Sequence, residues 1–164
     1  MIQKKICMLG AFAVGKTSLV ARYVKSMFSE KYLTTVGVKI EKKLVKVDNQ
    51  DVMLMLWDLA GEDEFNKVQT SYLRGSSGFI LVIDGTRHTT LDVALNLQKN
   101  LQESFGKLPF ILVFNKADLV NEWEIDPGTI EMLQASGNIV FRSSAKTGQN
   151  VEEVFLTLAE MMVK

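Results

Sequence analysis

The sequence predicts an α/β fold in which helices cover both faces of a mostly parallel sheet. Strand-like runs alternate with helical patterns along the chain, the order that βαβ units produce. The inner runs, Val-Met-Leu-Met-Leu-Trp at 52–57 and Phe-Ile-Leu-Val-Ile at 79–83, are apolar at successive positions and so bury both faces. Each chemically distinctive stretch follows such a run, on the rim where ligands of these sheets bind.

In chain order, Ile6-Cys7-Met8-Leu9 is the first strand and Ser18 to Val24 the first helix, fading near Lys25 and Ser26. Residues 38–47 read as a strand with Lys39, Glu41, Lys42, Lys43 and Lys46 interleaved, a charge density suited to an exposed edge. Asp48-Asn49-Gln50-Asp51 is turn chemistry, so this strand forms a hairpin with the central strand 52–58. Residues 65–74 are a weakly amphipathic helix closed by Gly75-Ser76-Ser77-Gly78, and 79–84 the next strand. Leu91, Ala94, Leu95 and Leu101 have helical spacing within 90–104. Pro109 introduces the strand 110–114, and Asp126-Pro127 starts a helix, with Asp as its cap and Pro in its first turn. A short strand at 138–141 follows. Asn150-Val151-Glu152-Glu153 is expected to cap a last helix whose apolar face includes Val151, Val154, Phe155, Leu158 and Met162.

The 164 residues fit one domain, 1–164, with 47% apolar residues and 19 acidic against 19 basic side chains. Balanced charge argues against nucleic acid as an obligate partner. The one cysteine, Cys7, is expected to be a buried hydrophobe, which suits a reducing, cytoplasmic compartment. No run has the length of a membrane span, the first residues do not read as a signal peptide, and the last four hold no lipid-accepting cysteine. The expectation is a cytoplasmic monomer without a direct membrane anchor.

Gly10-Ala11-Phe12-Ala13-Val14-Gly15-Lys16-Thr17 lies between a strand and a helix, the context that a G-x-x-x-x-G-K-[ST] phosphate loop requires. Its glycines let the backbone turn N–H groups inward, where the helix N-terminus adds partial positive charge. Gly10, Phe12, Ala13, Val14, Gly15, Lys16, Thr17 and Ser18 are the residues expected around the phosphates, with Lys16 on the outer ones and the Thr17 hydroxyl on Mg²⁺. Asp58-Leu59-Ala60-Gly61 ends the third strand as D-x-x-G: the carboxylate can hold Mg²⁺ through water, and Gly61 lets a backbone N–H approach a terminal phosphate. Asn115-Lys116-Ala117-Asp118 follows the fifth strand. Its carboxylate can accept from the N1–H and amine of guanine, a pattern adenine lacks. Ser144-Ala145-Lys146 follows the sixth strand and can offer a backbone N–H to the guanine carbonyl.

In this order the motifs resemble the Ras-like small GTPases, and Thr35-Val36-Gly37-Val38 with Trp57-Asp58-Leu59-Ala60-Gly61 is similar to the Rab branch. The resemblance covers the whole chain. It implies a P-loop NTPase G domain with a six-stranded, mostly parallel sheet and five helices, whose hairpin strand alone is antiparallel. It implies GTP and GDP as ligands and Mg²⁺ held by Thr17, Thr35 and Asp58, with Thr35 engaged only in the GTP form. Thr34 is the neighbouring alternative, and the family spacing favours Thr35. Phe28 would pack on the guanine, Asn115 and Asp118 would read its edge, and Lys116 would lie along it. Lys16, Thr35, Gly61 and Glu62 would serve hydrolysis. Effector, exchange-factor and activating proteins would engage the segments 34–43 and 61–74.

Two positions depart from the family. Glu62 stands where Gln usually orients the attacking water. A carboxylate cannot donate to the transferring phosphoryl group, and Asp63 and Glu64 add to its negative charge. Glu62 could instead be protonated and Gln-like, or turned to solvent. Phe12 stands where relatives carry Gly or a small residue, and either crowds Glu62 and an incoming arginine or folds away over the surface. Slow hydrolysis and a hindered activator are the expectation; a GTP-binding scaffold without turnover is the alternative, and an ATP-dependent kinase is disfavoured by residues 115–118. His88 reads as a solvated surface residue, Trp123 as packing over the sheet end, and the charged edge strand as a place where a partner could add a strand.

Overall fold

The computed structural model describes residues 2–25, 38–59 and 70–164. Strands β1 (Ile2–Gly10), β2 (Val38–Val47), β3 (Gln50–Leu59), β4 (Gly78–Asp84), β5 (Phe110–Asn115) and β6 (Val140–Arg142) form one sheet in the order β2-β3-β1-β4-β5-β6. The β2–β3 pair is antiparallel and the other neighbours are parallel. Helices α1 (Lys16–Lys25), α2 (Thr70–Leu73), α3 (Thr89–Phe105) and α4 (Pro127–Ala135) lie between strands, and α5 (Val151–Val163) follows the last one. Of the helix expected at 65–74, positions 65–69 lie outside the described residues.

The strand β1 begins at Ile2 rather than Ile6, because Gln3, Lys4 and Lys5 pair through their backbones with Met53, Leu54 and Met55 of β3. Lys5 keeps its charge at the surface, its Nζ lying 3.6 Å from the centre of the Trp57 ring and donating to the Arg74 carbonyl. At the edge, β2 has the predicted bounds, and Asp48 and Asn49 close its hairpin with φ of 50° and 66°. Two consecutive left-handed residues make the turn whose twist matches paired strands. In β3, Val52, Leu54 and Leu56 are buried, whereas Met53, Met55 and Trp57 are half-buried. It is therefore the strand next to the edge, fully covered on one face only.

Alternation along β4 assigns the helices to the two faces. A side chain at Gly78 would meet Met162 and Leu158 of α5, whereas the next residue, Phe79, has its ring 6.0 Å from that of Phe105 in α3. The helices α3 and α5 thus cover opposite faces, and every residue of β4 is buried between them. The ring of Tyr23 in α1 stacks on Phe155 in α5 with centroids 4.1 Å apart. Burial with Glu152 nearby pushes the Tyr23 hydroxyl up to about 12.

The Asp126 carboxylate caps α4 as expected, accepting from the Gly128 N–H at 3.0 Å with Pro127 in the first turn. The cap expected from Asn150 does not form. Asn150 is left-handed (φ 57°), and its amide donates instead to the Arg142 carbonyl, tying β6 to α5. A 3-10 segment, Ala117–Glu122, follows β5 directly. No helix is long and apolar enough to cross a membrane among the described residues.

Candidate functional site

The parallel strands end together at Gly10, Leu59, Asp84, Asn115 and Arg142. From β1 the chain pairs with β3 on one side and β4 on the other, which makes its end the switch point of the sheet. Gly10 has a φ of 152°, and a Cβ there would lie 2.5 Å from the Val82 carbonyl oxygen of β4. Gly15 (φ 104°) faces the Asn115 side chain so closely that a Cβ would collide with its amide. Ala13 between them is left-handed at φ 64°. Lys16 is buried, and its ammonium donates to the Gly10 and Ala11 carbonyls at 3.3 and 3.2 Å. The α1 ladder opens with Leu19 N–H donating to the Gly15 carbonyl, so the N–H groups ahead of it lie at a positive helix end beside that cation.

The Thr17 hydroxyl, one residue on, donates to Asp58 Oδ2 at 2.5 Å across from the end of β3, and Asp58 is buried. Mg²⁺ takes one or two protein oxygens and completes its octahedron with water and substrate phosphates. A hydroxyl and a carboxylate in contact beside an anion cradle fit that donor set. Among the described residues, no cluster of three or more His, Cys, Asp or Glu is placed to hold a metal ion. The expected contributors Phe28, Thr35, Gly61 and Glu62 lie outside the described residues, as does Thr34.

On the other side of the loop, Asn115 is a tie between strands. Its amide donates to the Val14 carbonyl at 3.0 Å, and its carbonyl oxygen accepts from the Ser143 hydroxyl at 3.2 Å. Lys116 is left-handed at φ 70° and donates to Asp84 Oδ2 at 2.7 Å. Asp118 is exposed, with one carboxylate oxygen fixed by the Ser144 hydroxyl at 2.6 Å. Arg22 of α1 donates from Nε to the Ala145 carbonyl at 2.7 Å and from Nη2 to the Lys146 carbonyl. Trans peptide planarity then turns the Lys146 N–H to the side away from Arg22. These bonds bring Asn115, Lys116, Asp118, Ser144, Ala145 and Lys146 together at the strand ends beside residues 10–17.

Several members of this network carry no local signal in the sequence. Asp84 is fully buried, and its carboxylate accepts from Lys116, from the Thr86 N–H and hydroxyl, and from Arg87 Nε. Burial alone would raise its pKa; the bonds from Lys116, Thr86 and Arg87 outweigh it and hold the group below the usual carboxylate range. Thr86 and Arg87 reach Asp84 from within three residues, but the bonds from Lys116 to Asp84, from Arg87 to the Phe12 carbonyl and from Arg22 to the Ala145 carbonyl join segments distant in sequence, which composition and spacing do not display. Phe12 is 43% exposed. Trp123 packs over the sheet end as expected, against Gly85 and Phe114, with its Nε1 donating to the Lys116 carbonyl. His88 is exposed.

A family model described as the Ras family matches residues 5–164. The chain is 35% identical to the Ras-related protein RABE1e of Arabidopsis thaliana over 159 residues, 95% of this chain and 73% of that protein. It is 33% identical to the Ras-related protein Rab-1 of Theileria annulata, covering 96% and 73% of the two chains. With the human Ras-related protein Rab-8B it shares 31% identity over 98% of this chain and 79% of the relative.

Proposed function

The chain belongs to the Ras family, and from that premise we propose that it is a guanine-nucleotide switch that binds GTP and GDP with Mg²⁺ and hydrolyses GTP slowly. The observation that carries the reading is the contact of the Thr17 hydroxyl with the buried Asp58 carboxylate, next in the chain to the buried Lys16 ammonium, a set of groups suited to a metal ion and an anion side by side. Residues 1–164 act as one domain and as a monomer in the cytoplasm. Effector, exchange and activating proteins engage 34–43 and 61–74, where the γ-phosphate orders the chain and its loss releases it.

Lys16 and the N–H groups at the start of α1 hold the phosphates. Asp118, steadied by Ser144, accepts from the guanine edge, and Arg22 turns the Lys146 N–H toward the base side. Thr17 and Asp58 hold Mg²⁺ together with Thr35. The bound ion supplies charge neutralisation on the phosphate oxygens. Glu62, in place of a donor to the transferring phosphoryl group, makes the chemical step slow.

Single-turnover GTP hydrolysis with Mg²⁺, on wild type and Glu62→Gln, tests this. Wild type is expected to turn over slowly and Glu62→Gln about tenfold faster or more, since one lost transition-state donor costs 10²–10³-fold elsewhere. Equal rates in the two proteins would sink the role of Glu62. No turnover in either, with GTP still bound, would favour the scaffold reading that Glu62 and Phe12 raise. Competition by ATP as effective as by GTP would remove the guanine reading altogether.

A further inference from the structure

Arg87 belongs to no motif, yet it joins the phosphate loop to the base motif. Its Nη2 donates to the Phe12 carbonyl at 2.6 Å, and its Nε to Asp84 Oδ2 at 3.0 Å. That same oxygen accepts from Lys116 Nζ at 2.7 Å, while Oδ1 accepts from the Thr86 N–H and hydroxyl. Asp84 is fully buried, so its charge is balanced by these two cations and cannot drift away from them. The base of Arg87 is fixed as well. Its N–H donates to the Asp84 carbonyl at 3.0 Å, and its own carbonyl accepts from the buried Thr90 hydroxyl at 2.7 Å. The guanidinium is therefore a strut anchored at both ends of its fork.

A strut on the Phe12 carbonyl fixes the plane of the Phe12–Ala13 peptide, and trans geometry directs the Ala13 N–H to the opposite side. Ala13 is left-handed at φ 64°, a conformation that alanine keeps only where its surroundings hold it. Backbone N–H groups of such a loop cradle the inner phosphates of a nucleotide. We propose that Arg87 is a positioning residue that holds the Phe12–Ala13 peptide in its phosphate-binding plane and, through Asp84, locks it to Lys116. The inference rests on the guanine-nucleotide reading above. Its effect falls on the phosphates beyond the first, so it governs how long a nucleoside diphosphate stays bound.

Release of fluorescently labelled GDP, together with GDP and GMP affinities by competition, tests it on wild type, Arg87→Ala and Arg87→Lys. Arg87→Ala is expected to speed GDP release about ten- to hundredfold, the span of one charge-assisted hydrogen bond. GMP affinity should change less than about threefold on the same scale. Arg87→Lys, which keeps the charge but cannot fork, should fall between. Unchanged GDP release in Arg87→Ala would overturn the proposal, and so would equal loss of GDP and GMP affinity, the mark of general loosening. Failure of wild type itself to bind GDP would instead remove the nucleotide reading on which the proposal stands.

Discussion

At Gly10 an added side chain would meet backbone, the Val82 carbonyl of a central strand, at 2.5 Å. Neither strand can yield without breaking the β1–β4 ladder, and the φ of 152° disfavours any L-residue. Gly10→Ala is therefore expected to cost about 2–3 kcal/mol in chemical denaturation, the upper range for overpacking, and to abolish tight GDP binding. A side chain at Gly78 would instead press on the Met162 sulfur at 2.9 Å and the Leu158 methyl at 3.0 Å, with the Pro109 carbonyl oxygen at 3.2 Å, at the start of β4 and away from the loop, so Gly78→Ala should leave GDP binding intact and marks the contrast. Lys16, Thr17, Asp58 and residues 115–118 were legible as candidates because their spacing along the chain is itself the signal. Arg22 and Arg87 were not, since a surface-type side chain acquires its role only from the carbonyls that the fold brings to it.

Among the elements, the edge strand β2 was legible to the residue because charged side chains are interleaved along it and turn residues follow it. The start of β1 was not, because its polar residues join the sheet through backbone pairing that side-chain pattern does not report. The two helix starts divide in the same way. Pro127 in the first turn pre-sets helical φ after Asp126, so the cap follows from local chemistry. Asn150 had a competing acceptor at Arg142, which only the return of β6 supplies. Asp126→Ala is expected to lower stability by about 1 kcal/mol and the thermal midpoint by about 2–4 °C, with GDP affinity unchanged. Thermal unfolding with and without nucleotide measures both.

For the molecule as a whole, the candidate site joins β1, α1, β3, the chain after β4, and the loops after β5 and β6, so a ligand there stabilises the whole sheet. GDP with Mg²⁺ at 100 times its dissociation constant should add about 2.7 kcal/mol, which corresponds to about 5–10 °C in the melting midpoint of a chain this size. Removal of nucleotide and metal by a chelator should reverse the gain, and ADP at equal concentration should give none; differential scanning calorimetry reads all three. The sequence by itself determined the α/β class, the parallel core and the rim motifs, because burial on both faces and phosphate binding each demand particular residues at short range. Only the tertiary structure decided which side chains brace those motifs. The bonds from Arg22 to the Ala145 carbonyl, from Lys116 to Asp84 and from Arg87 to the Phe12 carbonyl cross between segments that meet only when strands β1, β4, β5 and β6 end at one rim. Local sequence records what a segment prefers, whereas a hydrogen bond across the sheet depends on where its partner arrives.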